Sequence, residues 1–587
     1  MTRQYIGARY VPKFADPIEW QNNTSYEALT VVSYNYASYT SKKPVPVGVA
    51  PTNSEYWALT GNYNAQMNQI LTEFGELKDS FVNVKSYGAT GNGSDDDTQA
   101  FVDMFADTNA NGFYYIPSGN YRVTEPLSVP DKCTIICNGV IKSEIDPTTN
   151  RVHKGVLEIV NKTDVRIVGV NIVGQAPPNP VGSSEAGREP TWYCGIYTSY
   201  SDNVHIEKCT VKNFEGGYCI LAENTTNYWV ENCYINHYKW IGICTHVGSK
   251  HCHIINNTVI DAYGCGTQLN SYPIKLSGYD ENPNTYDYHV EDVTCIGNYV
   301  ENLFPWWEGI DAHGGRNLLI ADNTIVGVGT GIMVSESKTG DDRFKLDGCV
   351  ISGNIIELPD EYDSNNVPRS NNFCITAGGS NITVTGNVCK NGGIAKRELG
   401  AHAGGIYIRD TAGCVVTGNR FENVCGEGFY FTGACIDTRL ENNTVHFTED
   451  EAYTEYSYNF CIDTAYVGAN NACKCLILNN TFRCNAKDVS PVRAPTSESL
   501  PNGTYIRFQN TYFEGHGVAS GVQPQSVLLD FQTVSNMANV KMGMKGDIVK
   551  NSEYNGSNAY GWVCTASQGA TWASNPATWV AINLPTT

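Results

Sequence analysis

Apolar and polar residues alternate along most of this chain, in short runs that close on an asparagine. From Val165 to about Phe513 one phrase recurs: alternating apolar residues, then Asn or a small residue, then a β-branched or aromatic residue. It reads HIEKCTV, WVENCYI, HIINNTVI, TCIGNYV, LIADNTI, VISGNII, ITVTGNV, VVTGNRF, LENNTV, LILNNTF and RFQNTYF. The aligned positions are Cys209, Asn232, Asn257, Asn298, Asn323, Asn354, Asn387, Asn419, Asn443, Asn480 and Asn510, at spacings of 23 to 41 residues. Alternation with period two predicts strands, and a phrase returning every 20–50 residues predicts stacked solenoid coils. The shortest steps approximate one coil, and the longer ones add surface loops. The Asn side chains are expected to stack and to bond to one another along the solenoid axis.

A second phrase precedes each first one: Gly, apolar, any residue, apolar. It appears as GIYTS from Gly195, GICTH from Gly242, PIKLS from Pro273, GIDAHGG from Gly309, GIMVS from Gly331, GIYIRD from Gly405 and GFYFT from Gly428. This is a further strand of each coil. Successive side chains of a strand alternate between faces, so Ile310 and Ala312 are expected inside, and Asp311 and His313 outside.

The flanks differ. Residues 1–62 are rich in aromatics, with short alternating strands at Leu29 to Tyr34 and Tyr36 to Tyr39 between Pro-rich turns. In residues 63–80, Met67, Ile70, Leu71, Phe74 and Leu77 recur at steps of three and four, which predicts a connector helix with one apolar stripe. The text VNVKSYGATGNGSDDDTQAFVDMF, followed by YYIPSGNYRV, predicts a strand through Val82, Val84 and Tyr87, then a turn at Gly88, Gly91 and Gly93. Asp95, Asp96 and Asp97 then open a helix, where carboxylates cap free N–H groups. That trio is read as structural. The repeats stop near Phe513, and residues 540–587 read as a small β unit with Trp562, Trp572 and Trp579.

The glycine turn, the Asp trio and the IPSGNY segment resemble the entrance of the pectate-lyase-like right-handed β-helix superfamily, which recurs in phage tail spikes and appendages. Trp20, Tyr26, Tyr39, Pro51, Asn53, Tyr56 and Trp57 are similar to small carbohydrate-binding modules of chitinases. Gly546, Asp547, Val549, Asn551, Gly561, Trp562, Val563, Cys564 and Trp572 resemble a module that ends phage β-helix spikes. Both sets of aromatics serve equally as cores of small domains. The resemblance implies an all-β chain: a virion-attachment module at 1–62, a connector at 63–80, a right-handed parallel β-helix at 81–515 and a β module at 516–587. It further implies a homotrimer, with virion tail or neck proteins and a bacterial surface glycan or teichoic acid as partners, no cofactor, and a place in the virion.

Composition narrows the classes. With 39 Lys and Arg against 60 Asp and Glu, the net charge is −21. Binding to nucleic acid is therefore not expected, because such affinity comes mainly from Lys and Arg. The start MTRQYIGARYVPKF shows no apolar signal segment, and no apolar run is long enough to span a bilayer. Of 21 Cys, 18 lie between Cys194 and Cys484 within the repeats, and they are read as reduced core residues.

Candidate chemistry concentrates in FPWWEGIDAHGGRN. Aligned by their first inward residue, the second-phrase strands place Lys275 beside Asp311 and Ser277 beside His313, with His246 one coil earlier and Met333, Ser335 and Glu336 one coil later. Trp306 and Trp307 offer a platform for a sugar ring, and Glu308 enters the strand. Two carboxylates serve glycoside hydrolysis, as Glu308 or Glu336 with Asp311. A base beside a group that neutralises a carboxylate serves elimination, as His313 or Lys275 with Arg316. No tight His, Asp and Glu set suggests a metal. Asp311 and His313 also suit a purely structural role, bonding neighbouring turns. Binding without cutting, by an adhesin with the same fold, is the alternative function.

Overall fold

The computed structural model describes residues 18–35, 37–62, 81–107, 111–145, 154–175, 193–214, 218–262, 272–277, 290–301, 308–336, 345–360, 373–394, 402–448, 460–467, 474–483, 490–493, 505–509, 511–514, 528–530, 548–550, 561–566 and 578–582. The connector-helix segment 63–80, Trp306, Trp307, Asn510 and Trp572 lie outside these. The chain divides into two compact units, Met1–Val82 and Asn83–Thr587.

In the first unit, strands Ile18–Glu19, Val31–Tyr34, Ala37–Ser41 and Trp57–Asn62 form one sheet. Leu29 is not in a strand: its φ of 69° makes a turn whose N–H bonds Ser41 O at 2.8 Å. Tyr26, Val32, Val45 and Trp57 are the buried core, with Trp20, Tyr39 and Tyr56 packed on it. The aromatics of this unit thus hold it together.

The second unit is a right-handed parallel β-helix. Most coils contribute three strands, the first two merging into one in Phe373–Thr385, and strands pair in parallel with their counterparts one coil on. At the entrance, the expected strand is only Val82–Asn83, followed by a 3₁₀ turn Val84–Tyr87. The helix is Thr98–Ala106. Asp96 accepts from the Thr98 N–H at 3.0 Å, whereas Asp97 turns back and accepts from Thr90 N at 2.7 Å and Gly91 N at 3.2 Å. The trio is structural, but only Asp96 caps the helix. Asp97 ties the glycine turn.

The asparagine stack forms. Asn257, Asn298, Asn323, Asn354, Asn387, Asn419, Asn443 and Asn480 are each buried. Each amide oxygen accepts from the residue one coil before: Asn354 Oδ1 takes Asn323 N at 3.0 Å and Asn323 Nδ2 at 2.9 Å. Each amide nitrogen bonds a backbone carbonyl, as Asn354 Nδ2 does with Ile320 O at 3.0 Å. The turn before every stacked residue needs a left-handed backbone, which Gly, Asn and Asp adopt at least cost. Asn256, Gly297, Asp322, Gly353, Gly386, Gly418, Asn442 and Asn479 hold those places, with φ of 54–68°. The alignment was off by one at Asn232. That residue is exposed at φ 54°, and Cys233 takes the stack position, its N–H bonding Asn257 Oδ1 at 2.9 Å.

The 17 described cysteines are buried, as expected of core residues. No described helix is long and apolar enough to cross a membrane. Strands Ile548–Lys550, Gly561–Ala566 and Thr578–Ile582 form a separate antiparallel sheet.

Candidate functional site

The strand Glu308–His313 carries the predicted cluster. Ile310 and Ala312 are wholly buried. A Cβ on Gly309 would stand 2.6 Å from Ile325 Cγ2 and 2.8 Å from Gly331 O, inside the coil. Gly309 and Ile310 therefore both face the core, and the alternation breaks between them. The break sets Glu308 on the same outer side as Asp311 and His313, which strict alternation would forbid.

Lys275 pairs in register with Asp311, as the alignment predicted. Its ammonium lies 2.9 Å from Asp311 Oδ2 and 4.1 Å from the centre of the Tyr272 ring. His313 Nε2 approaches the same oxygen at 3.3 Å. Asp311 is on the outer face but wholly covered, and its Oδ1 has no described hydrogen-bond partner. The side chains of Lys275 and His313 keep 10% and 20% of their surface. Burial lowers the His313 pKa from its usual value even though Asp311 opposes the shift, so the ring is neutral at pH 7. Glu308 is also buried, and its Oε2 has no described partner. Burial first, and the charge of Asp311 second, push its carboxyl well above the usual carboxylate range.

Other predicted neighbours do not join. A register irregularity after Lys275 sets Ser277 opposite Ala312, not His313. His246 turns to the preceding coil, where its Nδ1 lies 3.1 Å from Glu223 Oε1. Glu336 follows Ser335, the register partner of His313, and stands three residues past Met333, the partner of Asp311. At ~3.3 Å per residue that is about 10 Å along the strand. Arg316 lies beyond the Gly314–Gly315 corner on the next strand, exposed and in register with Glu291 and Asp347.

Sequence reasoning missed two further clusters on the same ladder. Glu223 receives Tyr197 Oη at 2.9 Å besides His246. Farther along, His402 Nδ1 hydrogen-bonds Glu427 Oε1 and lies 3.9 Å from Asp463 Oδ2. Glu427 and Asp463 are wholly buried, and burial pushes the Glu427 carboxyl up to about 7. The register runs Asp311, Met333, Thr376, Tyr407, Tyr430, Asp463. At ~4.8 Å per coil, Asp463 is about 24 Å from Asp311 on one row. A signal was present in the text: Glu427-Gly428-Phe429 repeats Glu308-Gly309-Ile310, and Gly428 again faces the core, where its Cβ would meet Cys461 O at 2.6 Å.

Residues 81–332 match a model described as rhamnogalacturonase A/epimerase, pectate lyase-like, and residues 308–490 one described as right handed beta helix region. A pre-neck appendage protein of Bacillus phage phi29 is 26% identical over 227 residues, which are 34% of this chain and 25% of that protein. A mannuronan C5-epimerase of Azotobacter vinelandii is 25% identical over 193 residues, 30% of this chain and 13% of that protein. The chain thus spans about a quarter or less of these relatives. A mutant tailspike protein of E. coli bacteriophage HK620, solved in complex with pentasaccharide, superposes with a TM-score of 0.51 at 13% identity, covering 75% of this chain and 80% of that one. The chain thus has the right-handed parallel β-helix fold, matches pectate-lyase-like and β-helix models over parts of its length, and is similar over about a third of it to a phage pre-neck appendage protein.

Proposed function

We propose that this chain is a phage tail-spike or appendage protein that binds and depolymerises a surface polysaccharide or teichoic acid of its host, and that Asp311 and its partners do the cutting. One observation carries the proposal: the Lys275 ammonium donates to Asp311 Oδ2 at 2.9 Å, and His313 Nε2 lies 3.3 Å from the same oxygen. An Asp that fixes a neutral imidazole prepares the ring as a base. With Nε2 on Asp311, the lone pair of His313 is at Nδ1, which has no described partner. In this mechanism His313 removes a proton from the glycan, Lys275 stabilises the negative charge that develops, and Glu308, held neutral, donates a proton to the leaving oxygen. Asp311 is a positioning residue. Hydrolysis by a Glu308–Asp311 pair uses the same groups, and either route requires the cover over Glu308, Asp311 and His313 Nδ1 to open for the glycan.

Binding without cutting is the second reading. It is favoured by the cover over Asp311, Glu308 and His313 Nδ1. In either reading residues 1–62 join the virion, the partners are tail or neck proteins, and the assembly is a homotrimer.

The test incubates purified protein with host surface polysaccharide and follows chain length, reducing ends and ultraviolet-absorbing double bonds. Shortening with double bonds, abolished in His313→Ala, is the expected result. Shortening with reducing ends alone, abolished in Glu308→Gln, transfers the chemistry to the carboxylate pair. Saturable binding with no shortening overturns the enzyme and leaves the adhesin.

A further inference from the structure

We propose that His402, Glu427 and Asp463 bind one divalent transition-metal ion. Three separate chain segments deliver them. His402 stands just ahead of strand Gly404–Ala412, Glu427 opens strand Glu427–Ile436, and Asp463 lies within strand Phe460–Val467. One donor atom from each side chain falls within 4.8 Å of the other two. Ligand bonds to such ions are about 2.0–2.2 Å long, so closing the three donors onto a common centre needs movements of about 1 Å.

The surroundings hold the donors in place, as outer partners do in metal sites. The second Glu427 oxygen accepts from Ala403 N–H at 3.0 Å. The His402 ring stacks on Tyr430 with centroids 4.2 Å apart and planes 12° apart. Tyr430 in turn lies parallel to Phe373 and 5.0 Å from Tyr407. The imidazole thus has a fixed plane and edge.

The donor types point the same way. The His402 imidazole nitrogen faces one oxygen each of Glu427 and Asp463, both wholly buried, which is a ligand set. One nitrogen with two carboxylate oxygens suits Zn²⁺, Co²⁺ or Mn²⁺, whereas Ca²⁺ and Mg²⁺ prefer all-oxygen shells of six or more ligands. His402 keeps 20% of its surface and gives the ion a way in. Bound there, the ion ties together three successive coils, those of Tyr407, Tyr430 and Asp463.

The full-length protein, stripped with a chelator, is titrated with Zn²⁺, Mn²⁺, Co²⁺ and Ca²⁺ by calorimetry, with visible spectra recorded for Co²⁺. The expected result is one saturable site for Zn²⁺ and Co²⁺, a Co²⁺ spectrum without the near-ultraviolet band of a thiolate ligand, and a raised melting temperature. His402→Ala and Glu427→Gln should each weaken binding at least tenfold. His402 sits at the exposed edge, so its variant keeps the fold, checked by circular dichroism, should Glu427→Gln fail to fold. No saturable binding, preference for Ca²⁺, a thiolate band, or variants that bind like the parent would each overturn the proposal. Glycan cutting is not a readout, so the result is independent of the proposed activity.

Discussion

Lys275 and Asp311 are 36 residues apart in sequence, yet Lys275 Nζ stands 2.9 Å from Asp311 Oδ2, both side chains nearly or wholly buried. Removing one partner of a buried pair strands the other, at a cost of about 3–5 kcal/mol. Lys275→Met should therefore lower stability by that order, while Lys275→Met with Asp311→Asn should recover most of the loss. Urea denaturation of the two single variants and the double variant measures the coupling. A double variant as unstable as the sum of the singles would mean that the pair is not coupled.

The asparagine stack makes a sharper stability prediction. Asn354→Ala removes the acceptor of Asn323 N and Nδ2, and the donor to Ile320 O. Each buried group left unpaired costs ~1–3 kcal/mol. The variant should unfold at clearly lower urea than parent, and further below it than an exposed change such as Val350→Ala. Hydrogen exchange should locate the weakening at the Asn323 and Asn387 coils.

Cutting, if it proceeds through His313 and Glu308, should follow a bell in pH. Neutral His313 is needed as base, and its pKa is lowered, so the acid limb lies below the usual 6.5. Protonated Glu308 is needed as acid, and its pKa is raised, so the alkaline limb lies above the usual 4.5. Glu308→Gln should remove the alkaline limb along with most of the rate.

Stability gives the same Glu308 shift an independent readout. A folded pKa above the unfolded one adds stability that is complete below the unfolded value and lost as pH rises through the folded one. Glu308→Gln should therefore raise the melting temperature relative to parent more at pH 8 than at pH 5. Equal shifts at both pH values would contradict the buried, proton-bound carboxyl.

The thiols supply a chemical test of the core. The 17 described cysteines are buried, and burial raises thiols such as Cys133 and Cys349 to about 12. Reaction requires the thiolate, so an aromatic disulfide reagent should leave these 17 unlabelled in native protein and label them on unfolding.

The sequence alone determined the solenoid. The strand period, the returning phrase and the Asn that closes it follow from local chemistry: an alternating run must bury one face, and a stacked amide pairs with its own kind one coil away. Even the Lys275–Asp311 register was legible, because one in-register inward residue per strand fixes every other residue of that strand. It failed where strand regularity fails. At Asn232 the aligned asparagine is itself the left-handed turn residue, a place asparagine suits as well as the stack, and Cys233 holds the stack position; an irregularity after Lys275 moves Ser277 opposite Ala312.

Only the tertiary structure decided which outward residues are covered. Asp311 was expected at the surface and is wholly buried. It also decided that Glu308 shares the face of Asp311, since the paired inward positions Gly309 and Ile310 appear only when the Cβ that Gly309 lacks is seen to fall within the coil. The meeting of His402, Glu427 and Asp463 is of the same kind. They are 25 and 36 residues apart, and the loops that separate them vary in length from coil to coil. No fixed spacing could therefore announce the cluster; the stacking of coils brings its members together.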